Sequence, residues 1–457
     1  MSLSKLKQSF LKDDKIIHIH CSSYGEYLMS EALTINLKKE FFDYKFLLSF
    51  ISPSGYENAN KNLFEFLLNF IAPFSKKISK GIEGRKNSFK KLSKSFKPND
   101  KIIHIHCSSH GEYIMSKELT IALKKNFTDH KFLLSFISPS GYENFNDNLF
   151  DCVIYLPLET SKNLKQFYSL ISPKITLFTK NELWPNYIEY AKLNGSKVYS
   201  VGGNFKYSYF KKLIGLNSAI KKIDMIFVTN ENSKKTIEKI GNKNVIICGD
   251  LRYDSLIPDL NHAENRIISN FINDKKCIVF GSTWKEDERL IVRYINESEK
   301  DLKYIIAPHE ITANSFRLKK QLGEKAVLYS EISSISNYSN FKCLIIDNIG
   351  MLSSLYKFSN VSYVGGGVGN SGLHNTIEPA YFSKPIIIGK NYKKFDEANT
   401  MVKNGGMISI SNYNEFYRSL EGIIMNKEIQ DKMSENNNQH FINNKGAIKI
   451  ILKYLLK

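Results

Sequence analysis

Short apolar runs recur along the chain, each ending in a polar or glycine-bearing turn and each followed by apolar positions at helical spacing. Ile102 to Cys107 is one such run; Ser108 to Gly111 forms the turn, and Ile114, Leu119 and Leu123 share the next helical face. Further strands are expected at Lys131 to Ile137, Ile175 to Phe178, Lys197 to Val201, Met225 to Val228 and Val245 to Cys248. A polar break at Ile257 to Ala263, holding Pro258, Asp259, Asn261 and His262, reads as a linker. The alternation then restarts with Cys277 to Phe280, Tyr304 to Ala307, Cys343 to Ile346, Val361 to Val364 and Pro385 to Ile388. Continuous apolar strands alternating with helices predict parallel sheets covered on both faces. The fold class is therefore α/β: two doubly wound Rossmann-like units facing across a cleft, with ligands beyond the carboxyl ends of the strands. Ile448 to Leu456 has the pattern of a final amphipathic helix, expected to pack back on the first unit.

One block of this pattern occurs twice. Lys15 to Asn58 matches Lys101 to Asn144 at all but 8 of 44 positions, at a constant offset of 86. Solenoid units recur several times and are held alike by stacking, whereas here one block flanks a dissimilar spacer. A recent partial duplication is the simpler reading. The expected organisation is 1–59 as a partial copy, 60–258 as the first domain and 259–457 as the second domain with the final helix. Within the spacer, Leu63 to Phe74 is an apolar dozen interrupted by Glu65 and Asn69 and followed by Lys76, Lys77, Lys80, Arg85 and Lys86. It is too short to span a bilayer but suits an anionic membrane surface. A buried core helix with solvated lysines is the alternative.

Composition narrows the partner only in part. With 457 residues the chain exceeds one usual domain, and its net charge of +19 favours phosphate-rich partners. Six scattered cysteines form no metal-ligand spacing and read as buried thiols in a reducing compartment. No secretory signal and no spanning apolar run are evident, which predicts a soluble or peripheral protein.

Two motifs carry chemistry. Val364-Gly365-Gly366-Gly367, followed by Gly369, Gly372, His374, Asn375, Thr376, Ile377 and Glu378-Pro379, lies between a strand and a helix. Glycines there let backbone amides approach an anion, and Glu378 can accept bonds from ribose hydroxyls. A glycine cluster also serves as a purely structural turn. Ser108-Ser109-His110-Gly111-Glu112 likewise ends a strand and opens a helix, and is duplicated as Ser22-Ser23-Tyr24-Gly25-Glu26. Glu112 is placed to act as a general base toward a hydroxyl, although a glutamate in a first helical turn is also favoured by the dipole alone.

These motifs, with Phe136-Ile137-Ser138-Pro139-Ser140-Gly141, Asn181-Glu182-Leu183-Trp184-Pro185-Asn186, Gly281-Ser282-Thr283 and Asp347-Asn348-Ile349-Gly350-Met351-Leu352, resemble in content and order the Kdo (3-deoxy-D-manno-octulosonic acid) transferases of lipopolysaccharide synthesis. The resemblance covers about Asn62 to the C-terminus and implies a GT-B fold, CMP-Kdo as donor and a lipid A precursor of the lipid IVA type as acceptor. It implies Glu112 as catalytic base, Glu182 in transition-state stabilisation and Arg252 as a catalytic cation where many members have lysine. Implied donor contacts are Pro308, His309, Ile349, Gly350, Met351, Gly366, Gly367, Gly372, His374, Asn375, Thr376, Ile377 and Glu378. His309 stands where the family has arginine, and an imidazole binds an anion less firmly than a guanidinium fork. No metal or other cofactor is expected, because CMP leaves as a stable phosphate monoester. Inversion follows from attack on the face opposite the leaving group. The resemblance places the enzyme peripherally on the cytoplasmic face of a bacterial inner membrane, with CMP-Kdo, a lipid A precursor and an anionic membrane surface as partners.

Nucleic acid is not an expected partner: the basic residues are dispersed and no recognised binding motif is evident. The alternatives are another GT-B transferase using a donor such as a UDP-hexose, or a decaying gene product with little activity.

Overall fold

The computed structural model describes residues 16–21, 45–50, 76–205, 216–255 and 262–456. It divides into a first unit of Met1–Leu251 with Gly446–Lys457 and a second of Arg252–Lys445. The boundary falls ahead of the linker expected at Ile257. The helix His262–Ile272 takes up the linker's last two residues.

β1 (Ile16–Cys21) and β2 (Lys45–Phe50) pair in parallel as a separate two-stranded sheet. The first unit's main sheet is built from β3 (Lys101–Cys107), β4 (His130–Phe136), β5 (Cys152–Tyr155), β6 (Pro173–Thr179), β7 (Lys197–Gly203), β8 (Met225–Val228) and β9 (Val245–Ile247). All are parallel, in the order β5-β4-β3-β6-β7-β8-β9. Order turns about β3, which pairs with both β4 and β6, so the carboxyl ends of β3 and β6 lie side by side at the switch point where doubly wound folds bind ligands.

Both faces of this sheet are buried. Ile103, Ile105 and Leu134 point to one core, and Ile102, Leu133 and Ile154 to the other, following the alternation of side chains along each strand. The final helix, Ala447–Leu455, seats Ala447 and Ile451 in the first of these cores, with Tyr454 edge-on to Phe227. The last helix packs with the first unit, as its amphipathic pattern suggested, although the expected bounds counted it with the second domain. An apolar stripe on its own is not stable in water, so the segment goes to whichever unit offers a matching face.

The second unit's sheet comprises β10 (Cys277–Thr283), β11 (Lys303–Pro308), β12 (Ala326–Leu328), β13 (Cys343–Ile345), β14 (Val361–Val364), β15 (Ile386–Gly389) and β16 (Met407–Ile410). Its order is β12-β13-β11-β10-β14-β15-β16, again all parallel and buried on both faces. The switch point is β10, paired with β11 and β14. Both sheets match the predicted doubly wound class. The expected membrane segment Leu63 to Phe74 lies outside the described residues, as does Glu26.

Candidate functional site

In the first unit the motif after β3 becomes the start of the helix His110–Asn126, with Ser109 as its N-cap. Glu112 occupies the third helical position and is only 7% exposed. One carboxylate oxygen, Oε2, accepts the Ser108 N–H at 2.6 Å and the Thr179 hydroxyl at 3.2 Å. Thr179, the last residue of β6, also donates to the His106 carbonyl at 2.9 Å. The reach back to Ser108 is the acidic half of a capping arrangement, so the structural role is real. It does not exhaust the side chain: among the described residues Oε1 has no hydrogen-bond partner. A buried carboxylate with one oxygen anchored and one available is competent to take a proton from a hydroxyl.

Glu182 follows β6 and is exposed, three residues before the helix Pro185–Leu193 opens. Its preceding turn is held by Asn181, whose side chain donates to the Asn204 carbonyl at 2.7 Å and accepts the Asn204 N–H at 2.8 Å. Thr179, which anchors Glu112, was not among the residues expected to matter. Its signal in the sequence was only its place directly after a strand-like run, which the structure extends to include it.

Beneath Glu112 lies a buried polar pair. His104 Nε2 and His106 Nδ1 both bond the Ser135 hydroxyl, at 2.7 and 2.8 Å. Burial lowers both imidazoles to about 3, so both stay neutral.

In the second unit the expected donor residues gather at the carboxyl ends of β10, β11, β13 and β14. Pro308 ends β11, and the His309 N–H donates to the Thr283 carbonyl at 3.0 Å. Ile349 is 90% exposed, Gly350 takes φ +103°, and Met351 is buried in the core with its sulfur accepting from Asn348 at 3.0 Å. Asn375 accepts the Ile377 N–H at 3.2 Å and donates to Glu378 at 3.1 Å, fixing the entry of the short helix Ile377–Tyr381. Burial raises the Glu378 carboxyl to about 7, and the Asn375 amide offsets this in part.

Several expected contacts have a different local role. The Gly366 N–H is not free for a ligand anion: it turns inward and donates to the Asp287 carboxyl at 2.9 Å. Gly366 has φ +88°, and a side chain there would strike the Gly372 carbonyl oxygen at 2.0 Å. The loop's close backbone packing thus accounts for this glycine. Ile377 packs its side chain with Tyr253 and Phe441, so it can offer a ligand little beyond backbone, whereas Thr376 is wholly buried and its hydroxyl has no hydrogen-bond partner among the described residues. Arg252 pairs with Glu397 at 3.1 Å, which shares the charge expected to serve catalysis. Asp287 was missed by sequence reasoning and ties the site together: it accepts Trp284 N–H at 2.9 Å, Gly366 N–H at 2.9 Å and the Tyr363 hydroxyl at 2.6 Å. Burial raises its pKa against the lowering effect of those bonds. An acidic residue three positions after the residue that opens the helix was the available signal.

A family model described as 3-deoxy-D-manno-octulosonic-acid transferase (kdotransferase) matches residues 3–78 and 83–255. A bifunctional glycosyltransferase/methyltransferase of Fusobacterium nucleatum is 27% identical over 363 residues, covering 76% of this chain; the match spans 56% of that longer protein. The 3-deoxy-D-manno-octulosonic acid transferase of Aquifex aeolicus is 26% identical over 335 residues, 71% of this chain and 87% of that protein. Among solved structures, a glycosyltransferase from Rickettsia africae aligns with TM-score 0.53 at 13% identity, over 78% of this chain and 97% of its own. That likeness carries the fold alone.

Proposed function

The chain belongs to the 3-deoxy-D-manno-octulosonic-acid transferase family, and from that premise we propose that it transfers Kdo from CMP-Kdo to a lipid A precursor of the lipid IVA type, with inversion. It is a glycosyltransferase, and the residues divide the work between its units. The first supplies the base. Glu112 takes the proton of the acceptor hydroxyl on Oε1 while Ser108 and Thr179 hold Oε2 in place. The second binds the donor: Glu378 accepts from ribose hydroxyls, and the β10 and β11 ends hold the phosphate. As CMP leaves, the electron-poor anomeric carbon is attacked by the deprotonated hydroxyl, and the bond to the phosphate oxygen breaks with its electron pair going to CMP. A phosphate monoester is a good leaving group, so the reaction is proposed to run without a divalent metal.

The single observation that carries this reading is the anchored, half-available carboxylate of Glu112 at the sheet's switch point. Peripheral attachment to an anionic inner-membrane surface is proposed with it. Its support is the exposed Lys86, Lys90 and Lys94 on the two helices Lys76–Lys86 and Ser88–Ser95. Among the described residues no helix is long and apolar enough to cross a membrane.

Mass spectrometry of lipid products after incubation with CMP-Kdo and a lipid A precursor tests the whole reading. One or more Kdo mass increments support it. Products formed only from UDP-sugars would replace it with the alternative donor class.

A further inference from the structure

Three rings meet at the carboxyl ends of β10 and β11. Trp284 and His374 lie 18° from parallel, and the indole N–H donates to His374 Nε2 at 2.9 Å. Accepting that bond places the ring proton of His374 on Nδ1. Burial, with His309 as neighbour, lowers His374 to about 4, so the ring remains a neutral acceptor. The two rings thus form one plate joined at their edges. His309 rests on it, 4.5 Å from the Trp284 centroid at 22° and 4.4 Å from that of His374.

Both supports of the plate are fixed. Trp284 N–H is held by Asp287, and His309 N–H by the Thr283 carbonyl. His309 itself is exposed, with one face covered and its edge toward solvent. The Arg317 guanidinium, from the helix after β11, does not stand in for an arginine at this position. It bonds the buried Glu288 and the Asn314 side chain.

We propose that Trp284 is a positioning residue for the donor: the Trp284–His374 plate holds the His309 imidazole so that its ring N–H meets the nucleotide phosphate. The inference rests on the donor reading given above. A lone imidazole on a strand-end loop samples several rotamers and loses that freedom on binding. Stacking on a fixed plate removes the loss beforehand.

The test titrates the full chain with CMP and with cytidine by calorimetry. His309→Ala is expected to weaken CMP binding roughly tenfold or more while leaving cytidine nearly unchanged. Trp284→Leu should give most of the same CMP-specific loss, and Trp284→Phe, which keeps a ring face, should recover part of it. The double variant Trp284→Leu/His309→Ala should be little worse than His309→Ala, because the two residues act as one unit. CMP affinity unchanged in Trp284→Leu, losses that multiply in the double variant, or equal losses for CMP and cytidine would each overturn the inference. A wild-type chain that binds no CMP would overturn the donor reading itself.

Discussion

The Thr179 hydroxyl donates to Glu112 Oε2 at 3.2 Å, so the end of β6 holds a carboxylate carried by the helix that follows β3. Two strands on the two sides of a switch point therefore define where one proton acceptor stands. Glu112→Gln is expected to lower transfer by about 10²-fold or more, since an amide cannot take the proton, while CMP binding survives. Thr179→Val keeps shape but removes one anchor, and should lower kcat by roughly tenfold with acceptor KM little changed. Near wild-type turnover in Glu112→Gln would dismiss the base assignment.

Glu378 supplies a second pair of expectations. Glu378→Ala should weaken CMP binding by about 1.5–3 kcal/mol through loss of a charged acceptor, with lipid affinity unaffected. The same group bears on stability. Its folded pKa lies near 7, above the ordinary 4.5, so the folded state prefers the proton. That preference is fully present below about pH 4.5 and is lost as pH rises through 7. On the order of 1–3 kcal/mol is involved after allowance for partial exposure. Glu378→Gln carries no such penalty and should gain stability over the wild type between pH 5 and pH 8 in thermal melts. A constant difference across that range would speak against the raised pKa.

The histidine pair under Glu112 shifts the other way. His104 and His106 are held near 3 against an ordinary 6.5, so the unfolded chain binds protons that the fold refuses. Stability is present above about pH 6.5 and lost as pH falls toward 3, by about 1.4 kcal/mol per unit for each histidine. Urea unfolding at pH 7, 6 and 5 should show the first unit weakening steeply. In His104→Phe the slope should drop by about half, even if the variant starts less stable.

The duplicated segment can be tested by removal. The seven-stranded sheet of the first unit forms without β1 and β2, which among the described residues pair only with each other. Deleting Met1 to Ala59 is therefore expected to leave a folded, active transferase, and Glu26→Gln to change little. Activity that disappears on deletion, or that follows Glu26 rather than Glu112, would reverse the assignment.

Much of the fold was legible because parallel sheets write themselves as uninterrupted apolar runs. Met225 to Val228 and Val361 to Val364 were read with their observed limits. Three strands were not read: Cys152–Tyr155, Ala326–Leu328 and Met407–Ile410. All three are edge strands. Edges are short and paired on one side, so they carry too few apolar residues to stand out from neighbouring turns.

The sequence by itself determined the alternation of strands and helices, and it placed Glu112 at a strand end and Glu378 in the helix after the glycine-rich turn. Those features depend on periodicity within a few residues. Only the tertiary structure decided that Thr179 anchors Glu112 and that Asp287 takes the Gly366 amide. The same holds for the Arg252–Glu397 pair and the Trp284–His374 plate beneath His309. Most join residues far apart along the chain: 67 positions separate Thr179 from Glu112, and 145 separate Arg252 from Glu397. Such pairings leave no local pattern, because side-chain geometry is selected by packing in three dimensions rather than by the spacing of neighbours.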